Sequence, residues 1–409
     1  MFKGQVVEFI RRKSFMIFAC LAAACLGAAA QTGGVDKPPI VLGQSVALTG
    51  PNAPMAAPFA RGARLYFARL NLAGGVDGQR VELVTVDDAG EPSRTLANTQ
   101  RFLDEGVLAL FGYYGSPQVI GAYPTIKASD AILFGPMASA DELRGPVYAN
   151  VYSMRPGFSE EAAAVTRHVD MLGARRLVIL HGPDSESLFA LDSAQRTTTA
   201  MGANLLASLP LEQVGSALEK KPQAVLVLGD ATSAGKGIRA LRAQGFRGPI
   251  YGFSNTGEGL LAEQLGAAGS GVVVVRVTPK PDHARTALVR ELMADAAAAR
   301  LKPDVYLLEG YLAARALTEA LRVAVRKPPL NAAGLREAIE GLSNLDVGGV
   351  RVHFDGERVG SRRVDLSLID GQGRIFGQYR IVRLEEEHLS ILAGGAPRHI
   401  GFRLELERD

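Results

Sequence analysis

From Ile40 onward the chain alternates short, nearly continuous apolar runs with longer stretches whose apolar residues recur at helical spacing. The apolar runs cover 40–47, 81–87, 107–111, 131–134, 176–181, 223–228, 249–252 and 271–277 and are rich in Val, Ile and Leu. Strands that are apolar throughout, rather than at every second position, are strands covered on both faces. Helical periodicity runs over Pro58–Leu72, Ser93–Glu105, Pro117–Ala128, Glu160–Leu172, Ala234–Gln244 and Tyr306–Val325. This alternation predicts an α/β fold of mainly parallel sheets with right-handed crossovers. Gly74-Gly75 after Asn71 suits the end of the first helix, and Pro92-Ser93 suits the start of the second.

Towards the C-terminus the pattern changes. Val350–Phe354, Arg363–Ile369 and Ile375–Val382 read as antiparallel strands joined by turns at Asp355-Gly356 and Asp370–Gly373. The last stretch, with Glu385-Glu386-Glu387, reads as a charged surface appendage. A length of 409 residues suits two doubly wound sheets, one over roughly 38–153 and one over roughly 154–279.

The start of the chain follows a different logic. Lys3, Arg11, Arg12 and Lys13 precede an apolar run from Phe15 to Leu26, and Ala28-Ala29-Ala30 stands before Gln31. That is the pattern of a signal peptide over 1–30, and the run is short of the roughly 20 residues that span a bilayer. A retained anchor is the plainer alternative. Cys25 is a weak lipidation candidate, because Ala22 stands where Leu is usual. Both cysteines, Cys20 and Cys25, lie in this leader, so a chain beginning at Gln31 has no disulfide, thiolate nucleophile or cysteine metal site. Export without disulfides points to a bacterial periplasm. The leader also carries the equivalent of the whole chain's formal charge of +3, which leaves the remainder close to neutral. No basic stripe interleaved with aromatics argues for nucleic acid.

Candidate chemistry sits in the loops after the first strands: Thr49-Gly50-Pro51, Asp87-Asp88, Gly112–Ser116 and Gly135–Ser139. In an open parallel sheet such loops gather at the carboxyl edge, where ligands bind. They are rich in Gly, Ser, Thr and Tyr and suit holding a small molecule rather than transforming it. Ser116 opens a helix whose free N–H groups favour an anion; capping that helix is its other reading.

These pieces resemble the periplasmic solute-binding proteins of branched-chain amino acid ABC transporters, the leucine-binding protein type. The resemblance rests on Ser45–Pro51, Asn71-x-x-Gly74-Gly75-x-x-Gly78, Val84–Asp88, Val107–Ser116, Ile132–Ser139, Tyr152–Arg155, Gly252-Phe253, Phe354-Asp355 and Gly360, in that order, over about 38–378. It implies the type I periplasmic binding fold: two doubly wound lobes joined by a hinge, which close on a ligand between them. The lobes would be 38–153 plus 280–345 and 154–279 plus 346–409. It also implies no enzymatic activity, no cofactor, a monomer, and delivery of a small-molecule ligand to permease subunits.

By resemblance Ser116 binds a ligand carboxylate, Ala138 and Ser139 bind carboxylate and amine, and one of Tyr113 and Tyr114 lines the pocket while the other packs in the core. For Ser139, as for Ser116, a helix cap is the alternative. Phe189 is the counterpart of an aromatic after the 176–181 strand. Asp230 is either a contact residue or the N-cap of the following helix. Arg155 either reaches a ligand carboxylate or pairs with an acid at the hinge. Thr49 and Asn52 are weaker candidates. Ser254 or Asn255 stands where relatives carry an acid for the ligand's ammonium. A buried ammonium without an acid is strongly disfavoured, so the expectation is a ligand without an α-amine: an amide, a urea-like solute, or an organic or aromatic acid.

Other chemistry finds little support. The stretch Gly229–Lys236 misses the phosphate-loop spacing by one residue. The six histidines lack ligand spacing, and no nucleophile stands beside a base, as an exported hydrolase would need. The same architecture would also suit a ligand-sensing subunit for a membrane receptor.

Overall fold

The computed structural model describes residues 37–354, 356–381 and 404–406. The leader with Cys20 and Cys25, Asp355, Val382 and Glu385–Glu387 lie outside the described residues. All elements belong to the unit Pro39–Asp409.

The first half runs β1 (Ile40–Val46), α1 (Ala53–Leu72), β2 (Val81–Asp87), α2 (Pro92–Asp104), β3 (Ala109–Phe111), α3 (Ser116–Ala128), β4 (Leu133–Phe134) and β5 (Val151–Tyr152). Its five strands are all parallel in the order β2-β1-β3-β4-β5. The order reverses between β1 and β3, so their carboxyl ends flank a crevice. The helix α1 begins five residues before the predicted start at Pro58, which sits inside it. Pro54 in its first turn loses no bond, because the N–H groups there have no helical partner.

The second half runs α4 (Phe158–Met171), β6 (Arg176–His181), α5 (Ser185–Ala200), β7 (Asn204–Pro210), α6 (Val214–Glu219), β8 (Ala224–Leu228), α7 (Ala231–Ala243), β9 (Ile250–Gly252), α8 (Glu258–Leu265) and β10 (Val272–Arg276). The chain continues through α9 (Ala287–Ala298), α10 (Val305–Ala324), α11 (Ala332–Glu340), β11 (Leu345–Asp346), β12 (Arg351–Val352), β13 (Asp365–Ile369), β14 (Ile375–Ile381) and β15 (Leu404–Leu406). The second sheet has eight strands, β15-β14-β13-β10-β9-β8-β6-β7. Strands β6 to β10 are parallel, and β13 to β15 extend the sheet antiparallel beyond β10. This order also reverses at β6, between β7 and β8.

The strand expected over 350–354 is antiparallel but shorter, and its partner differs. Arg351–Val352 pairs with Leu345–Asp346 in a separate hairpin rather than with the later strands. Gly348 and Gly349, both at positive φ, make the reversal.

Each sheet is covered on both faces. One face of the first packs against α1, α9, α10 and α11, through Ala63, Phe67, Leu292, Leu308, Leu317 and Ile339. Its other face packs against α2 and α3, through Phe102, Val119 and Ile126. Val347, Val350, Val352 and Phe354 belong to the first-sheet core. The β11–β12 hairpin, which lies beyond the boundary expected at 346, buries its apolar side chains there. The two faces of the second sheet form separate clusters, one with α4 and α5 and one with α7 and α8.

The tightest approach is between α1 and α10. A Cβ on Gly62 would lie 1.9 Å from the Leu307 carbonyl oxygen, and one on Gly310 would lie 1.9 Å from that of Phe59. Glycine on both helices lets their backbones touch.

Candidate functional site

The carboxyl ends of β3, β4, β6 and β9 converge. Gly115 brings α3 to this place with φ at +92°, and a Cβ there would lie 2.0 Å from Gln118 Oε1. Gly115 is also the N-cap residue, so Ser116 is the first helical residue and does not cap α3. The Ser116 N–H and hydroxyl instead donate to Glu186 Oε2 and Oε1, each at 2.9 Å. The Ala140 N–H donates to Ser116 Oγ at 3.0 Å. Glu186 lies in the first turn of α5 and reaches from the second sheet to the first. Burial raises its pKa, opposed by the two Ser116 bonds and by Arg155.

A second cluster lies on Arg155, at the first crossing between the halves. Arg155 is 3% exposed. Its Nη1 is 3.2 Å from Glu309 Oε1, and its Nη2 is 3.8 Å from Glu161 Oε1 and bonded to Ser254 Oγ. Glu161 accepts from the Ser254 N–H and hydroxyl, each at 2.7 Å. Burial pushes the Glu161 carboxyl up to about 7, against Arg155 and the Ser254 bonds. Burial also raises Glu309, again against Arg155. Burial alone would lower Arg155, but Glu309, Glu161 and Glu186 outweigh it and hold the guanidinium charged. A third pair, Arg276 and Glu258, bonds at 3.0 Å.

The enclosed cavity is lined by Arg155, Ser254, Glu258, Arg276, Thr278, Tyr306 and Glu309, among others, and measures about 10 Å³. That is room for about one water molecule. Tyr306 Oη and Thr278 Oγ1 line it without a hydrogen-bond partner.

The structure distributes the predicted residues as follows. Ser116, Ala138, Ser139 and Tyr114 gather at the first sheet's edge. Ser139 is 2% exposed and its hydroxyl has no partner. It caps no helix, since Ala140 precedes the short turn Asp141–Arg144. The Ala138 carbonyl accepts from Arg144 Nη2 at 3.0 Å. Tyr114 is nearly buried, with its hydroxyl 3.9 Å from Met55 Sδ. Tyr113 turns into the core, its hydroxyl 2.8 Å from Thr99 Oγ1. Phe189 packs against clusters of both halves. Asp230 caps α7, accepting from the Thr232 and Ser233 N–H groups at 2.7 and 2.8 Å. Ser254 joins the Arg155 cluster, and Asn255 Oδ1 is buried without a partner. Thr49 is held by Asp87 at 2.6 Å.

The expected shortage of acid at 254–255 does not hold. Glu161 comes from α4 to supply a carboxylate at Ser254, and Glu309 comes from α10. Glu186 was missed for a similar reason, since an acid in a helix's first turn reads as a dipole partner. Glu309 did carry a signal: it is a charged residue inside the apolar run Tyr306–Tyr311.

A family model described as periplasmic binding protein matches residues 39–373. The chain belongs to the periplasmic binding protein family. A second model, Phage P2 GpU, matches 357–409, a stretch only partly within the described residues, and overlaps the first. The Leu/Ile/Val-binding protein homolog 1 of Brucella abortus is 21% identical over 314 residues, covering 74% of this chain and 84% of its own. A substrate-binding periplasmic protein from Ralstonia solanacearum is 26% identical with a TM-score of 0.74, over 82% of this chain and 99% of its own. The branched-chain amino acid transporter substrate-binding protein of Streptococcus pneumoniae, solved with isoleucine, has a TM-score of 0.73 at 18% identity, over 84% of this chain and 99% of its own. The fold is that of type I periplasmic binding proteins, and the family role is solute binding.

Proposed function

We propose that the crevice captures a small polar solute, of the amino acid, amide or organic acid class, and presents it to the permease of an ABC transporter. Two lobes do this, one over 38–153 and 280–354 and one over 154–279, 356–381 and 404–406. The observation that carries the reading is the convergence, from both halves, of buried charged and hydroxyl groups at the two sheets' switch points. Ser116, Ser139, Tyr114 and Ala138 face it from the first sheet, and Glu186, Phe189, Ser254, Asn255 and Asp230 stand on the second side. A cavity of about 10 Å³ is too small for such a solute, so binding requires the halves to part and then close. The solute favours closure only by its higher affinity for the closed state. The leader suits export to the periplasm as a monomer.

The test is a thermal-shift screen of the purified protein against amino acids, amides, amines and small acids. A solute bound by the native state alone raises the melting temperature. Recovery of the compound unchanged is the expected result, and its conversion to a product would refute the reading.

A further inference from the structure

We propose that Glu186 sets the specificity of the crevice, selecting a carboxylate-free cation, an ammonium or guanidinium compound, over a free acid. This rests on the reading of the crevice as a solute site. The first observation is a donor count. Ser116 N–H, Ser116 Oγ–H and Ala140 N–H are the groups at the α3 N-terminus that an acid would use. All three are already engaged, two by Glu186 and the third by Ser116 Oγ, which leaves the unpartnered Ser139 hydroxyl as a donor beside them. An incoming carboxylate has to evict Glu186, which then loses both donors while it stays half-buried.

The second observation is charge. Glu161, Glu186 and Glu309 all act on the Arg155 guanidinium, and Arg144, held by the Ala138 and Ala140 carbonyls, is a second cation within reach of Glu161. Glu258 does not help, because Arg276 pairs with it. A solute carboxylate would push these buried acids further towards protonation, whereas a cation favours their ionised forms. The third observation is independent of the acids. Tyr306 Oη and Thr278 Oγ1 are 5% and 1% exposed respectively, line the cavity with Glu309, and have no partner. Each can accept an N–H. Each Glu186 oxygen also keeps lone-pair capacity beyond its bond to Ser116, so a solute N–H can be added without breaking those bonds.

Matched probes separate the classes: L-leucinamide against L-leucine, and agmatine against L-arginine. Each is titrated into the full mature protein by calorimetry and thermal shift, with circular dichroism to verify the fold of each variant. In the wild type the carboxylate-free member binds at least about tenfold tighter, about 1.4 kcal/mol. Glu186→Ala reverses or abolishes that preference. Glu186→Gln, which keeps the size and one acceptor, weakens the cation without gaining the acid. Tighter binding of L-leucine or L-arginine to the wild type overturns the inference and leaves solute capture standing. An unchanged preference in Glu186→Ala does the same. Failure of every probe, in wild type and folded variants alike, removes both.

Discussion

Glu161 offers a direct measure of the cost of the buried acid cluster. Its carboxyl is fully buried, and burial raises its pKa from the ordinary 4.5 to about 7. The unfolded chain releases that proton near 4.5, whereas the folded protein holds it to about 7. Stability from this group is therefore full below about 4.5 and is lost as the pH rises through about 7. The difference corresponds to about 3 kcal/mol at the alkaline end. Glu161→Gln keeps an acceptor for the Ser254 N–H but cannot titrate. Urea unfolding of wild type and variant at a series of pH values from 4 to 8 isolates the effect, because the other titrating groups largely cancel in the difference. The wild type should lose up to about 3 kcal/mol relative to Glu161→Gln across that range. A difference that stays flat, or that moves in favour of the wild type as the pH rises, would refute the reasoning.

Arg155→Met leaves Glu161 and Glu309 buried without their cation and should cost about 3–5 kcal/mol at neutral pH, less in acid, where both can protonate; urea unfolding at pH 7 and pH 5 reads both values. Gly310→Ala drives a methyl group into the backbone of α1 and should cost about 1–3 kcal/mol, or more if the helices cannot separate, measured by thermal unfolding. Asp230→Ala removes the α7 cap and should cost about 1 kcal/mol. Unchanged stability in Asp230→Ala together with lost solute binding would show that the carboxylate faces the solute instead.

Much of the fold was legible because burial on both faces writes a strand as an unbroken apolar run. Within the stretches 223–228 and 271–277 the runs 224–228 and 272–275 are of this kind, and they hold β8 and all but the last residue of β10. The parts that escaped carry no such run. β5 has two residues, and β7, Asn204–Pro210, is an edge strand of mixed character with exposed ends. The short helices α6, α8 and α11 are held by packing more than by pattern. Near the crevice, Ser116 and Ser139 were singled out because glycine-rich loops after strands announce a carboxyl edge and because they match the family's pattern. Glu161 and Glu186 were not, because each stands in the first turn of a helix, where an acid reads as a dipole partner, and Glu309 was passed over although it stands inside an apolar run. Only the meeting of the two halves turns them inward. Asp230 shows the opposite case, where the plain reading as an N-cap describes its hydrogen bonds.

The central claim is that this crevice closes on a solute and releases it unaltered. The most direct measurement is a crystal structure of the protein grown with a compound selected by the thermal-shift screen. The compound should lie between the halves, intact, touching Tyr114 or Glu309 on the first side and Glu186 or Ser254 on the second. Density for the compound on an outer surface, or for a reaction product in the crevice, would contradict the account.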